Sequence, residues 1–296
     1  MKILYYTGFF RDALASAEGF DPTLVKGLCE IVTDRTTLAE ADAVVFHLPN
    51  LRSEKLPQKK AGQIWVALSV EADANYPYQA DEGFMRNFDV RMGLRQDCEI
   101  PLTYFRPSML SSFRSPPRWK FRRAPAVYVG SNPKVGHERA DWLGKLAGRL
   151  KVDCYGKGNS SRRFWWDRGR ETKLRVISRY AFHLVFENAV ERDYVSEKVY
   201  DALAAGTVPV YLGAPNVEEF LPAPKCAIVA RDFASADELA DHLLDVRADR
   251  RRYDEYLQWR REPFAESFER LVELNAEPSI VRLYRRLNSG IIPLRA

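Results

Sequence analysis

The sequence predicts an α/β protein built from two Rossmann-like domains facing a cleft. Short apolar runs alternate with polar, helix-like stretches along most of the chain, as in parallel sheets covered by helices on both faces. That rhythm breaks once, at the Pro-, Ser- and Arg-rich stretch RPSMLSSFRSPPRWKFRRAP (106–125), and then restarts. A length of 296 residues also suits two domains better than one.

In the first half the strand candidates are KILYYTGF, CEIV, ADAVVFHL and QIWVALSV, separated by polar or helical spacers. The 106–125 stretch reads as an interdomain crossing or exposed loop. In the second half the strand candidates are AVYVGSN, KVDCYG, FHLVFEN, TVPVYLG and CAIVA. Between them lie helical segments such as HERADWLGKLAGRL and ADELADHLLDVRADRRRYDEYL. The expected division is an N-terminal domain over 1–115 and a C-terminal domain over 116–265. A helical segment over 266–296 is expected to pack back on the first domain. In sheets of this kind ligands sit at the carboxyl ends of the strands.

Composition narrows the classes. No apolar run approaches the ~20 residues that span a bilayer, and MKILYYTGFFRDALASAEGF reads as a buried strand and polar loop, not a signal peptide or anchor. The expected location is cytoplasmic. The net charge of +5 is mild. The tracts FRSPPRWKFRR and RADRRRYDEYLQWRRE favour an anionic partner locally, but few aromatics interleave with them, which argues against nucleic acid. Cys29, Cys98, Cys154 and Cys226 form no CxxC pair, which argues against zinc and for reduced thiols.

The most informative stretch is FENAVERDYVSEKVYDALAAGTVPVYLGAPNVEEFLP, 186–222. Val195, Val199, Ala202 and Leu203 make one buried helix stripe. Asp193 is the expected N-cap and Gly206 the residue that closes the helix. Glu197 and Lys198 then stand in the first turn, off the stripe. A helix N-terminus is already electropositive, so a lysine there asks for an anion. A diphosphate would supply it, and the Glu197 carboxylate could accept both hydroxyls of a ribose. The alternative pairs Lys198 with Asp201 and leaves Glu197 solvated; spacing alone does not separate the two.

This stretch resembles the signature of the alpha-1,3-fucosyltransferases, glycosyltransferase family ten. That family carries FEN, a spacer, DY(V/I)(T/S)EK, a small-residue helix and VPV-x-x-G. The upstream KLRVISRYAFHLVFEN extends the likeness. So do Ser131-Asn132 and KVDCYG at two strand ends. In the first half, WVALSVEADANYP resembles the family strand that ends in a catalytic Glu, here Glu71. FDVRMGLRQDCEIPLTYF resembles the stretch after it, with Gly93-Leu94-Arg95 where the family has Ser/Thr-Tyr-Arg and Cys98 where Ser is usual.

The resemblance implies a GT-B-type, bacterial-type soluble enzyme that moves L-fucose from GDP-fucose to a sugar hydroxyl with inversion. It implies Glu71 as general base and Lys198 as the cation facing the leaving diphosphate. It implies a donor-binding set of Ser131, Asn132, Arg139, Tyr155, Gly156, Lys157, Lys173, Phe186, Glu187, Asn188, Tyr194, Val195, Ser196, Glu197 and Lys198. Within that set Asn188 and Tyr194 would meet fucose hydroxyls or phosphate, and Glu187 would orient its neighbours. In YGKGNSSRR (155–163) Gly156 and Gly158 would free the backbone around phosphate, with Arg162 or Arg163 as substitutes for Lys157. For Arg139 and Lys173 the competing reading is a surface salt bridge. His183 reads as structural. Trp165 and Trp166 would stack on acceptor sugar or cap a domain edge.

No Asp-x-Asp pair stands at a strand end, so no metal cofactor is expected, and a divalent ion would at most stimulate. The expected partners are GDP-fucose and a glycan acceptor: N-acetyllactosamine, a chitobiose core or an O-antigen sugar. No nucleic acid is expected, and the Arg tracts allow peripheral association with the inner membrane face. The rivals are transfer of another nucleotide-activated sugar and a non-catalytic sugar- or nucleotide-binding module.

Overall fold

The computed structural model describes residues 1–8, 21–51, 55–118, 120, 124–130, 137–156, 161–162, 164 and 168–289. The chain divides into two compact units. One comprises Met1–Thr103 with Glu273–Ala296, and the other Tyr104–Val272.

The first unit is a parallel sheet of β1 (Lys2–Tyr5), β2 (Glu30–Val32), β3 (Ala43–His47), β4 (Ile64–Ser69), β5 (Val90–Gly93) and β6 (Ile100–Pro101). The spatial order is β2-β1-β3-β4-β5-β6. The chain runs outward from β1 to β2, then crosses back to β3, so the switch point lies between β1 and β3. The middle strand β3 is buried along its whole length, as an apolar run with no alternation requires. Short helices α1 (Leu48–Leu51) and α2 (Glu82–Met85) follow β3 and β4. Phe46, Trp65 and Phe88 fill the core beside α2, with Phe46 and Trp65 ring centroids 4.8 Å apart.

Strands β5 and β6 lie inside a stretch that carries no apolar run. Val90, Met92 and Ile100 are nonetheless buried, and one ion pair braces the two strands: the Arg91 backbone N–H and Nε both donate to Glu99 Oε2, at 2.8 and 3.1 Å.

The second unit opens with α3 (Leu110–Arg114). Its sheet contains β7 (Ala126–Gly130), β8 (Val152–Gly156), β9 (Phe182–Phe186), β10 (Val208–Leu212) and β11 (Ile228–Val229). The order is β11-β10-β9-β7-β8, all parallel, with the switch point between β7 and β9. Helices α4 (His137–Arg149), α5 (Arg170–Ile177), α6 (Glu197–Ala204), α7 (Ala236–Ala248) and α8 (Arg250–Glu255) belong to it, and α9 (Glu266–Ala276) begins in it and ends in the first unit. The segment read from sequence as one helix over 236–257 is two. Asp249 is extended and caps α8, its Oδ1 accepting from Arg251 N at 2.8 Å.

The start of the 106–125 stretch is not an exposed loop. Phe105, Met109 and Phe113 are buried in the second unit's core. Phe105 packs on Phe268 with ring centroids 4.9 Å apart, and Phe113 on Trp259 at 5.7 Å. Arg260 then clamps the turn after α3, donating through Nη2 to Ser112 O and Ser115 O at 2.6 Å each. Residues 104–115, placed in the first half by the sequence, thus pack in the second unit. The last helix, α10 (Ser279–Asn288), returns to the first unit. It buries Ile280, Leu283 and Leu287, and Arg282 donates through Nη1 to Pro101 O on β6 at 2.7 Å.

Candidate active site

The site in the second unit forms where β9 ends. Its residues Phe182–Phe186 are all buried, so the chain leaves the sheet pointing into the interior, and the next residue is an acid. Glu187 is only 4% exposed. Gly213, after β10, makes the room: a Cβ there would stand 2.6 Å from Glu187 Cγ. A buried carboxylate must be neutralised or fully hydrogen-bonded, and Glu187 is both. Its Oε1 accepts from Ser196 N at 2.8 Å. Its Oε2 accepts from Ser196 Oγ at 2.7 Å and Lys198 Nζ at 3.2 Å.

Ser196, not Asp193, is the N-cap of α6; its Oγ accepts from Lys198 N. Asp193 sits three residues too early, in a positive-φ turn at 67°. There it is locked to Asn216: Asp193 N donates to Asn216 Oδ1 and Asn216 Nδ2 to Asp193 Oδ1, both at 2.9 Å. The expected stripe of Val195, Val199, Ala202 and Leu203 is buried. Gly206 closes the helix with φ at 65°. Gly206 N donates to Leu203 O and Thr207 N to Ala202 O, each at 3.0 Å, the paired bonds of a Schellman end.

Lys198 does not pair with Asp201. Its Nζ donates to Glu187 and, at 2.8 Å, to Ser196 Oγ. An ammonium has three N–H groups, so one is left, with Glu197 Oε1 at 3.7 Å. Asp201, 1% exposed, takes Lys173 Nζ at 2.9 Å and Arg170 Nε at 2.7 Å. Lys173 also stands 3.7 Å from Glu197 Oε1. The first two turns of α6 are therefore wrapped in an alternating network running Arg170, Asp201, Lys173, Glu197, Lys198, Glu187.

The charges in this network hold one another. Burial works against the Lys198 ammonium, yet Glu187 and Glu197 keep its pKa above the ordinary value. Burial likewise opposes the Glu197 carboxylate, and Lys198 and Lys173 hold it below the ordinary range. Glu197 is 38% exposed and accepts no hydrogen bond from either lysine. It is an ionised carboxylate held by Lys198, Lys173 and its own backbone N–H.

Arg139, in the first turn of α4, is 5% exposed and is not a surface ion pair. Its Nη1 donates to Asn188 Oδ1 at 2.6 Å and to Phe186 O at 3.3 Å. It thereby ties the helix that follows β7 to the end of β9, across the switch point. Tyr194 and Val195 are buried in the loop that leads into α6, Tyr194 O accepting from Tyr211 Oη at 3.3 Å. His183 is fully buried on β9, and burial, then Lys173 and Lys198, press its pKa well below the ordinary value. It stays a neutral ring, as its position in the strand suggested.

Tyr155 joins an internal cluster. Its hydroxyl meets Tyr180 Oη at 3.3 Å, and Tyr180 Oη donates to Asp153 Oδ2 at 2.7 Å. Gly156 has a packing reason to be glycine. Its φ is 121°, and a Cβ there would overlap Gly130 O, 1.8 Å away on the adjoining strand. Ser131, Asn132, Lys157, Gly158, Arg163, Trp165 and Trp166 lie outside the described residues. Sequence reasoning did not find Arg170 or Gly213. Gly213 was visible as the last residue of VPVYLG, but only the buried Glu187 beside it explains the requirement.

In the first unit Glu71 is half-buried, two residues beyond β4. Its backbone N–H donates to Ser69 Oγ at 3.2 Å, which fixes the turn at the strand's carboxyl end. Gly93 borders that turn from β5: a Cβ would stand 3.0 Å from Ser69 O. Asp73, the nearest other acid along the chain, has Arg95 Nη1 4.0 Å away.

Two parallel α/β units, each with one topological switch point, are the pair of domains found in GT-B-type folds. The chain belongs to glycosyltransferase family 10: residues 119–289 match the family's fucosyltransferase C-terminal model and residues 1–105 match the fucosyltransferase N-terminal model. Among curated proteins it is 36% identical over 243 residues to mouse alpha-(1,3)-fucosyltransferase 7, an alignment covering 78% of this chain and 58% of that one. It is 32% identical to human 4-galactosyl-N-acetylglucosaminide 3-alpha-L-fucosyltransferase FUT6, over 78% of this chain and 65% of the relative. Human 3-galactosyl-N-acetylglucosaminide 4-alpha-L-fucosyltransferase FUT3 is also 32% identical, with 78% and 64% covered. The chain thus spans about three-fifths of the length of these relatives. Among solved structures, an alpha1,3-fucosyltransferase with GDP-fucose superposes with a TM-score of 0.57 at 17% identity, over 99% of this chain and 91% of that one. A phage T4 enzyme in complex with UDP-glucose gives 0.52 at 12% identity, over 97% and 99%. These two likenesses show the fold alone.

Proposed function

We propose that the chain is an inverting fucosyltransferase that moves L-fucose from GDP-fucose to a hydroxyl of an N-acetylglucosamine-type acceptor, with alpha-1,3 linkage. The observation that carries this reading is the pair at the start of α6. Glu197 is a partly exposed carboxylate and Lys198 an ammonium with a remaining N–H. They stand at the helix N-terminus that follows β9, beside the switch point. A nucleoside diphosphate asks for that combination: acceptors for ribose hydroxyls, and positive charge with free N–H groups for phosphate. The relatives' printed names supply fucose and the acceptor class.

In the reaction the acceptor oxygen attacks the anomeric carbon of fucose as the bond from that carbon to the phosphate oxygen breaks. The acceptor proton passes to Glu71, and the diphosphate leaves with the electron pair of the broken bond. Lys198 and the α6 N-terminus meet the growing phosphate charge. Preorganised charge of this kind is usually the largest catalytic contribution. Glu187 and Ser196 fix the ammonium before substrate arrives, so no reorganisation is needed as the bond breaks. Arg139 holds Asn188 for the fucose or phosphate. In this scheme a divalent ion at most stimulates, and the acceptor is N-acetyllactosamine, a chitobiose core or an O-antigen sugar. The place of action is the cytoplasm, at or near the inner membrane face; no helix among the described residues is long and apolar enough to cross a membrane.

A screen of nucleotide sugars by thermal shift, without added metal, tests the donor. GDP and GDP-fucose are expected to raise the melting temperature. Stabilisation by UDP-sugars and not by GDP would favour transfer of another activated sugar on the same scaffold. Stabilisation by GDP-fucose with no transfer to any acceptor would favour a binding module.

A further inference from the structure

Two Arg-rich tracts stand out in the sequence, and the site at the start of α6 uses neither of them. In the second unit they meet. Arg118 and Lys120 from the first tract and Arg247, Arg250, Tyr253 and Asp254 from the second line one cavity of about 480 Å³. Four basic side chains share it with one carboxylate, and that carboxylate is spent on Arg250, 2.8 Å from its Nε. Apolar wall comes from Pro117, Ala181, Ala248 and Leu257. A second cavity of about 290 Å³ shares Arg118 with it and is lined by Arg175, Arg260 and one acid, Glu171. Lys120 stands between them, its Nζ donating to Ser178 O at 3.0 Å and to Thr207 Oγ1 at 3.2 Å.

These cavities lie at the opposite end of the sheet from Glu197 and Lys198. Ala181 precedes β9, and Ala204 to Gly206 close α6. The helix between the two sites is about 12 Å long at 1.5 Å per residue, so a ligand here would not touch the first turn of α6.

We propose that this paired cavity is a second binding site, for a phosphate-bearing ligand that also carries a ring or alkyl portion. Phosphate suits a guanidinium group, which offers forked donors, and Arg118 presents one at the mouth shared by the two cavities. The ring or chain suits Tyr253, Leu257 and Pro117. A helix C-terminus alone repels an anion, but here the last carbonyls are already engaged. Leu203 O accepts from Gly206 N and from Arg260 Nη1, and Ser178 O from Lys120. Burial, and then Arg260, press the Lys120 ammonium down to about 7. A bound anion beside it would favour its protonated form.

The test is calorimetric titration of sodium tripolyphosphate into the full chain, alone and with saturating GDP, for wild type and Arg118→Glu. Arg118 is exposed, so this variant is expected to fold. The expected result is one site that survives GDP and weakens about tenfold or more in Arg118→Glu, the scale of one charge-assisted contact. A site abolished by GDP, or unchanged in Arg118→Glu, overturns the proposal. Sedimentation with phosphatidylglycerol vesicles, against phosphatidylcholine vesicles, separates the sources. Capture by the anionic vesicles that Arg118→Glu loses, without tripolyphosphate heat, assigns a lipid headgroup. Tripolyphosphate binding without capture assigns a soluble phosphate, and neither signal ends the proposal. If GDP itself fails to bind, the donor reading above falls, while the comparison with Arg118→Glu still decides this one.

Discussion

At the scale of single residues, the site is a set of charges that make sense only together. Lys198 can sit at the positive end of α6 because Glu187 lies beneath it, and Glu187 can be buried because Ser196 and Lys198 satisfy it. Lys198→Ala is expected to weaken GDP binding by roughly ten- to a hundredfold, from a lost charge-assisted contact of about 1.5–3 kcal/mol. Circular dichroism should show a folded chain with a lowered melting temperature, since buried Glu187 loses its cation. Titration of GDP into the variant checks this, and unchanged affinity would contradict it. Lys120 gives a pH dependence of stability. Its folded pKa is about 7, below the ordinary lysine value of 10.5. Between those values the unfolded chain binds more protons, so Lys120 opposes folding fully below about pH 7 and progressively less as pH rises through that window. Urea melts of wild type and Lys120→Met from pH 6 to 10 should therefore show the variant's advantage shrinking as pH rises. An advantage that grows with pH would show the sign to be wrong.

At the scale of elements, glycine positions separate packing requirements from mere tolerance. Gly213→Ala would drive a methyl into Glu187 Cγ at 2.6 Å and Tyr211 Oη at 2.6 Å. That should lower both the melting temperature and GDP affinity, because the carboxylate it displaces positions Lys198. Gly144, inside α4, would meet nothing within 4 Å. Gly144→Ala should stabilise by about 1 kcal/mol and leave GDP affinity unchanged. Thermal melts and GDP titrations on the pair check this; equal effects would show that crowding at Gly213 is not the cause. Much at this scale was legible. The apolar runs over 43–47, 64–69, 182–186 and 208–212 became β3, β4, β9 and β10, because strands buried on both faces leave an unbroken signal. Strands β5 and β6 left none, since Arg91 and Glu99 interrupt their buried residues Val90, Met92 and Ile100. The α6 stripe and Gly206 were readable from spacing. The cap was not: Asp193 and Ser196 are equally good capping types, and only the Asp193–Asn216 lock decides between them.

At the scale of the whole molecule, alternation of strand and helix was enough to give two parallel α/β units. The division was harder. Residues 104–115 look polar enough for a linker, but three of their side chains reach the aromatic core around Phe268 and Trp259. The ion network was the least legible part. Arg170 and Asp201 are 31 residues apart and belong to different helices, so no local pattern links them. The claim that joins both units is that Glu71 in one is the base for chemistry whose leaving group is held by the other. It is tested most directly by transfer from labelled GDP-fucose to N-acetyllactosamine, with GDP affinity measured in parallel, for wild type and Glu71→Gln. The account predicts a fucosylated product of inverted anomeric configuration. In Glu71→Gln the rate should fall by about 10²-fold or more, the usual scale of general-base assistance, at unchanged GDP affinity. Near-normal transfer by Glu71→Gln, or a product of retained configuration, would contradict it.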